Sequence, residues 1–388
     1  MRVGVIYDSL FPFDTGGGER VYRAMADRMV AAGHEVIYIT VERSGADYSS
    51  LPFDVVEISQ ARLYDSVGAR TSSGALGFAR AIMCYLSRRR NIFDLLVVSA
   101  LPVTTLLAAR LATFGTTTVI VGDWLEVWPW RKWRDYSGPI TGTVAAALQW
   151  LGARASAFNT VNSVFTADRL RSLRATSNPF VLGLLDMSSE VSGGHVAGEP
   201  DLPPVALFVG RLIADKRVDA LPGAISHARR QIPELRLSIV GTGEERGAIE
   251  QALRAVDGDA FTSMLGRVDD QTLDRLMSGA AVLVNPSARE GFGMVVGESA
   301  ARGVPIVVVA GEDNAAEQLI VPGVNGFVAA NASASILGDA IASAVLAGRP
   351  LRESTADWFA RERESNSFGA SVKWILDRGR TSGPTSRD

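Results

Sequence analysis

Two carboxylates stand eight positions apart in the run Ser287–Gly303, SAREGFGMVVGESAARG: Glu290 and Glu298. Gly291, Phe292 and Gly293 follow the first, and a helix is expected to start near Met294. The first N–H groups of a helix have no partner within it and carry a partial positive charge, which makes a phosphate site. Gly291 and Gly293 let the backbone approach a ligand closely. Glu298 would lie about one turn into that helix, roughly 6 Å along its axis. A carboxylate accepts two hydrogen bonds from a diol, so the pair suits sugar hydroxyls on either side of a bound diphosphate. The plain alternative is a helix capped by a glycine turn, with two surface glutamates.

A second run, Gly210-Arg211-Leu212-Ile213-Ala214-Asp215-Lys216-Arg217, follows the expected strand Val205–Val209. A planar guanidinium and a mobile ammonium at a strand's carboxyl end would clamp a diphosphate, Arg211 and Lys216 supplying them. Two solvated loop charges are the alternative. The chain holds only three lysines, Lys132, Lys216 and Lys373, so Lys216 is conspicuous. A third run, Gly16-Gly17-Gly18-Glu19, lies between the first strand and first helix, where close ligand approach or tight packing both call for glycine. Gly241-Thr242-Gly243 looks like a dinucleotide turn, but Arg246 occupies the place of the third glycine, which argues against a nicotinamide-dependent oxidoreductase. Asp257-Gly258-Asp259 has the spacing of a metal-binding acid pair and is expected as a surface turn.

Positioning these residues takes an alternating scaffold. Strands are expected at Val3–Tyr7, Glu35–Thr40, Leu95–Ser99, Thr118–Val121, Val205–Val209, Leu235–Val240, Ala281–Val284 and Val304–Val309. Helices are expected at Glu19–Ala32, Val218–Arg230, Glu244–Ala255, Asp270–Ser278 and Met294–Ala301. Short β-branched strands alternating with helices mean an α/β fold with parallel sheets. The stretch 186–204 is rich in Gly, Ser, Pro and acids and reads as a linker. The expected organisation is a first α/β domain over 1–185, a second over 186–350, a C-terminal helix over 351–376 and a disordered tail over 377–388. Ligands of such domains sit at strand carboxyl ends and in clefts between domains.

Composition excludes several classes. With 388 residues, two or three domains are expected. A net charge of -3 gives no electrostatic case for nucleic acid. One cysteine, Cys84, forms no internal disulfide and suits a reducing, cytoplasmic setting. Three scattered histidines, His34, His195 and His227, argue with it against a zinc site. The uncharged stretch Leu95 to Ala109 is 15 residues, too short for a spanning helix, and no signal peptide is expected.

Together these motifs resemble the retaining glycosyltransferases of family 4, over nearly the whole chain. Glu290–Glu298 matches the family's paired glutamates and GRLIADK its Arg–Lys pair. The Gly16–Gly18 loop, Gly33-His34-Glu35-Val36, Pro286-Ser287 and Asn325-Gly326-Phe327 are also similar. The resemblance implies a GT-B fold, two Rossmann-like domains facing a cleft, with the last helix crossing back to the first domain. It implies that Arg211 and Lys216 hold the nucleotide diphosphate and that Glu290 contacts the transferred sugar. Phe292, Gly293 and Met294 would offer N–H groups to sugar and phosphate, and Glu298 would bind the ribose. Gly266, Arg267 and Val268 would flank the base, Gly241 and Gly243 would line the nucleotide pocket, and Gly16–Gly18 would close over the phosphates. The implied donor is a UDP- or GDP-sugar, with a glycan, lipid-linked or small-molecule acceptor, no metal and no cofactor; the alternative is a sugar-nucleotide epimerase of GT-B fold or a catalytically inactive sugar-nucleotide-binding relative.

One departure concerns the loop GDWLEVWPWRKW. Many members of the family carry a histidine near here, whereas this chain has Leu125 before Glu126. Asp123 or Glu126, with Trp124, is the expected acceptor-side replacement. Trp124, Trp128, Trp130 and Trp133 interleave with Arg131, Lys132 and Arg134, a pattern that suits a membrane interface, stacking on sugar rings, or a packed lid. A second departure is Arg217, where the family often has glycine.

Overall fold

Val-, Ile- and Leu-rich runs, each bounded by turn residues, form two parallel sheets in the computed structural model, which describes residues 1–382 except 15, 61–70, 176, 184–199 and 201. The chain divides into two units, Met1–Met187 with Ser367–Asp388, and Ser188–Asn366. Most of the expected linker, including His195, lies outside the described residues.

The first unit runs β1 (Arg2–Ile6), α1 (Gly17–Ala31), β2 (Glu35–Thr40), β3 (Asp54–Glu57), α2 (Ser72–Ser87), β4 (Leu95–Ser99), α3 (Val103–Ala112), β5 (Val119–Trp124), α4 (Trp130–Ser137), α5 (Pro139–Gly152), β6 (Phe158–Val161), α6 (Val164–Ser172) and β7 (Phe180–Val181). Its strands pair in parallel in the order β3-β2-β1-β4-β5-β6-β7. Every side chain of β4 is buried, because helices cover both faces of such a sheet.

The second unit runs β8 (Val205–Val209), α7 (Leu221–Ala228), β9 (Arg236–Val240), α8 (Arg246–Arg254), β10 (Thr262–Gly266), α9 (Asp270–Gly279), β11 (Val282–Asn285), β12 (Arg289–Glu290), α10 (Met294–Ala300), β13 (Ile306–Val309), β14 (Asp313–Asn314), β15 (Gly326–Ala329), α11 (Ala334–Leu346) and α12 (Gly348–Ser365). Its main sheet has the parallel order β10-β9-β8-β11-β13-β15. A separate parallel pair joins β12 to β14, with Glu290 opposite Asn314. The Asp257–Asp259 segment forms a turn, with Asp257 left-handed at φ 52 before a short 3-10 turn.

The segment expected as one crossing helix is two helices. The first, α12, belongs to the second unit, where buried Arg352 donates to the carbonyls of Ala280 (2.6 Å) and Ser278 (3.1 Å). The second, α13 (Phe368–Ser382), belongs to the first unit. Its Trp374 stacks on Phe180 at 4.1 Å, and Ser371 Oγ accepts from the Gly183 N–H at 2.9 Å. Part of the expected disordered tail, 377–382, is therefore helical, and 383–388 lies outside the described residues.

The strand expected to end at Val121 continues through Gly122, Asp123 and Trp124. Glycine and aspartate look like loop residues, but here both Asp123 oxygens are hydrogen-bonded by neighbouring elements, so burial in the sheet is tolerated.

Candidate functional site

The sheet order of the second unit reverses direction between neighbours β8 and β11. Loops leaving the carboxyl ends of two such strands turn to opposite sides and leave a crevice there. Those two loops carry Arg211, Lys216 and Glu290.

They are pinned to each other. The Ala288 N–H donates to the Asp215 carbonyl at 2.8 Å, and Arg217 Nε donates to the Pro286 carbonyl at 2.9 Å. Arg289 Nη1 lies 3.5 Å from Asp215 Oδ2. Across this seam the Lys216 ammonium donates to Glu290 Oε2, and both side chains are largely buried. Asn285 Nδ2 lies 3.4 Å from the same oxygen. Below, buried Ser287 donates its hydroxyl to Asn285 Oδ1, and buried Asn314 donates to the carbonyls of Ser287 (3.2 Å) and Val309 (2.8 Å). Asn285, Asp215 and Asn314 were not singled out from the sequence. A polar residue at the last position of a buried strand, as Asn285 is, was the available signal.

Arg217 has a left-handed backbone, φ 46 and ψ 40. That conformation favours glycine, which accounts for the residue the family often has here, and Arg217 adopts it at a cost. Burial pushes the Arg217 guanidinium below its usual range.

Arg211 is exposed, while the backbone on either side of it is fixed. Gly210 N donates to Val240 O at 3.0 Å, and Leu212 N donates to Thr242 O at 2.9 Å. Gly241 and Gly243 make this contact possible. A Cβ on Gly241 would fall 1.8 Å from Gly210 O, and one on Gly243 would fall 2.1 Å from Leu212 O. Loop-to-loop packing alone thus requires both glycines. Gly266 is left-handed at φ 66, and its carbonyl accepts from Gly241 N at 2.8 Å. Arg267 is exposed beyond it, and Val268 is half-buried.

Gly291 and Phe292 form a bend that leads into Gly293, left-handed at φ 81, the N-cap of α10. No side chain caps this helix, and the Val296 N–H donates to the Gly293 carbonyl at 2.8 Å. Glu298 is half-buried within α10, and its carbonyl accepts from Arg302 Nη1 at 2.6 Å.

In the first unit, Gly16 is the N-cap of α1 and Gly17 its first residue. A Cβ on Gly18 would fall 2.5 Å from the Tyr7 hydroxyl and 3.1 Å from Leu125 Cδ1. The glycine loop therefore abuts the loop that follows β5, and the side chain it meets there is Leu125.

Asp123 and Trp124 do not supply the acceptor-side group expected of them. Asp123 is fully buried; its Oδ2 accepts from the Tyr22 hydroxyl at 2.6 Å and its Oδ1 from Thr160 Oγ1 at 2.5 Å. Burial raises its carboxyl above the usual range, against the two hydrogen bonds that lower it. Trp124 is a core side chain whose Nε1 donates to Asn159 Oδ1 at 2.8 Å. Glu126, half-buried, accepts from Trp128 Nε1 at 2.7 Å and is the remaining member of the three. No described histidine replaces it. His34 lies at the amino end of β2, opposite the end that bears the loops, and His227 in α7 is bonded to Asp339 at 2.8 Å.

The Trp-rich loop is partly a packed cover. Gln149 accepts from the Trp128 N–H (3.0 Å) and Trp133 Nε1 (3.1 Å), and its Nε2 donates to Trp128 O at 2.7 Å. Trp128 and Trp133 pack at 4.7 Å, whereas Trp130 is exposed. Among the described residues, no three His, Cys, Asp or Glu side chains could jointly hold a metal ion.

The family model of group 1 glycosyl transferases matches residues 195–358, and that of Glycosyltransferase Family 4 matches residues 15–181. The glycogen synthase of Mycobacterium tuberculosis is 26% identical, over 79% of this chain and 77% of that protein. The GtfA subunit of the UDP-N-acetylglucosamine–peptide N-acetylglucosaminyltransferase of Streptococcus gordonii is 28% identical over 28% of this chain, which spans 21% of that relative's length. The solved structure of Anabaena Alr3699/HepE in complex with UDP and glucose superposes with a TM-score of 0.70 at 17% identity, covering 98% of this chain and 100% of that one. With two parallel-sheet α/β units, the paired glutamates and the Arg–Lys loop, the chain belongs to the group 1, family 4 glycosyltransferases of GT-B fold.

Proposed function

We propose that the chain is a retaining, metal-independent glycosyltransferase that moves a hexose-type sugar from a UDP- or GDP-sugar to a glycan, glycolipid or natural-product acceptor in the cytoplasm. The observation that carries this reading is the Lys216–Glu290 pair at the β8/β11 switch point. Cleavage of the sugar–phosphate bond puts negative charge on phosphate and positive charge on the anomeric carbon. Lys216 and the exposed Arg211 supply fixed positive charge for the phosphate, the task a metal performs elsewhere. Glu290 holds the ammonium in place and presents its carboxylate to sugar hydroxyls. Glu298 accepts from the ribose diol, and Gly266, Arg267 and Val268 border the base.

In the front-face reaction expected of a retaining member, the anomeric carbon–oxygen bond to phosphate breaks. The acceptor oxygen bonds to the same face, and its proton passes to the leaving phosphate oxygen. No protein nucleophile takes part. The UDP bound by HepE supports a uridine donor. The test is transfer from a panel of UDP- and GDP-sugars with EDTA present, the product's anomeric configuration being read by proton NMR. Retention without added metal supports the reading; inversion or an absolute need for Mg²⁺ or Mn²⁺ overturns it.

A further inference from the structure

The hairpin of α4 and α5 has an inner and an outer face with different chemistry. Its crossing point is Gly142, where a Cβ would fall 2.3 Å from Trp133 O and 2.5 Å from Arg134 Cα. The buried positions of α5 are Gly142, Gln149 and Gly152, which lie on one side of a helix. The opposite side carries Ile140, Val144, Ala147 and Leu151, spaced four, three and four residues apart. Ile140 is 81% exposed, Val144 54% and Leu151 47%. The whole of α5 lacks a charged residue. A soluble domain seldom turns a continuous aliphatic stripe to water without a use for it.

The rim of this stripe is aromatic and basic. Trp130 is 53% exposed beneath the Arg134 guanidinium, and Tyr136 on α4, edge-on to Trp128 at 5.2 Å, is exposed as well. Trp150 carries Arg154 over its ring at 3.8 Å. Along α4 and α5, Arg131, Lys132 and Arg134 face a single acid, Asp135. An aliphatic stripe bordered by tryptophan and tyrosine, with cations outside them, matches the depth profile of a bilayer interface: acyl chains, then the headgroup boundary, then phosphate. No single described helix is long and apolar enough to cross a membrane.

We propose that the outer face of α4 and α5 docks the protein on an anionic lipid bilayer, with Ile140, Val144 and Leu151 entering the acyl boundary and Arg131, Lys132 and Arg134 meeting lipid phosphates. The charge excess favours anionic lipid over a second copy of this chain, because two copies would bring like charges together. The proposal stands apart from the donor reading and is tested without turnover.

The experiment is flotation of the full chain with vesicles of phosphatidylcholine containing phosphatidylglycerol, and with phosphatidylcholine alone. Binding is expected to the anionic vesicles and to weaken with salt. Ile140→Glu and Val144→Glu each lower partitioning by about ten-fold, the scale of withholding one aliphatic side chain from an apolar phase. Arg131→Gln lowers it by about five-fold, the scale of one basic side chain at an anionic surface. These positions are exposed, so melting temperatures stay near wild type; Leu151→Glu provides a second probe should either variant misfold. Equal binding of wild type and stripe variants, or no preference for anionic lipid, overturns the proposal. A dimer in analytical ultracentrifugation that Ile140→Glu dissociates also overturns it, by assigning the stripe to a second copy.

Discussion

Lys216 and Glu290, 74 positions apart, meet as an ion pair because two adjacent parallel strands end in loops locked together by Asp215, Pro286 and Ala288. The pair sets the charge of the site. A largely buried carboxylate restrains the ammonium when no phosphate is present, and a donor diphosphate would then compete for the same cation.

Lys216→Ala is expected to lower transfer by about 10²–10³, the scale of losing one donor that stabilises developing charge. The circular dichroism spectrum should be unchanged. Steady-state turnover measures this, and undiminished turnover removes Lys216 from the mechanism.

Arg217 separates backbone strain from hydrogen bonding. Arg217→Ala keeps a Cβ at φ 46 and loses the bond to Pro286 O, so a loss of about 1 kcal/mol is expected. Arg217→Gly loses the same bond but relieves a left-handed conformation that costs about 1 kcal/mol, so it should be the more stable of the two. Chemical denaturation of both variants checks the order; a more stable alanine variant contradicts it.

The glycine runs show what was legible in the sequence and what was not. Gly241 and Gly243 were readable as a turn after a strand, but their purpose was not. A nucleotide pocket and loop packing demand the same residue, and only the approach to Gly210 O and Leu212 O distinguishes them. The paired glutamates and the Arg–Lys loop were legible because strand ends and glycine turns mark them locally. Their mutual pairing was not, since it depends on sheet order. Asp123 reads as a loop residue for a related reason: its partners, Tyr22 and Thr160, come from distant segments and make it a buried strand residue.

Two glycines close in sequence should respond oppositely to alanine. Gly243→Ala places a Cβ against Leu212 O and is expected to destabilise the second unit strongly. Gly247, exposed in the first turn of α8 with open space around its Cβ position, should gain about 0.5 kcal/mol as alanine through helix propensity. Melting temperatures decide, and parallel shifts refute the packing account.

His34 makes the fold sensitive to acid. Burial first, then the N-terminal ammonium 3.1 Å away and Arg380, hold its imidazole below the usual range. A depressed folded value means that the unfolded chain binds the proton more readily. The neutral histidine's contribution is therefore complete above about pH 6.5 and is lost as pH falls from there through the depressed value. His34→Gln should flatten that part of the stability–pH curve; an unchanged slope assigns the acid sensitivity elsewhere.

The most direct test of the central claim is isothermal titration calorimetry of UDP and GDP into wild type, Lys216→Ala and Arg211→Ala, all with EDTA present. Metal-free binding of one nucleotide to wild type, weakened by about ten-fold or more in each variant as expected for a charge-assisted phosphate contact, is the predicted result. Equal affinity in all three proteins, or binding that appears only with a divalent metal, contradicts the account.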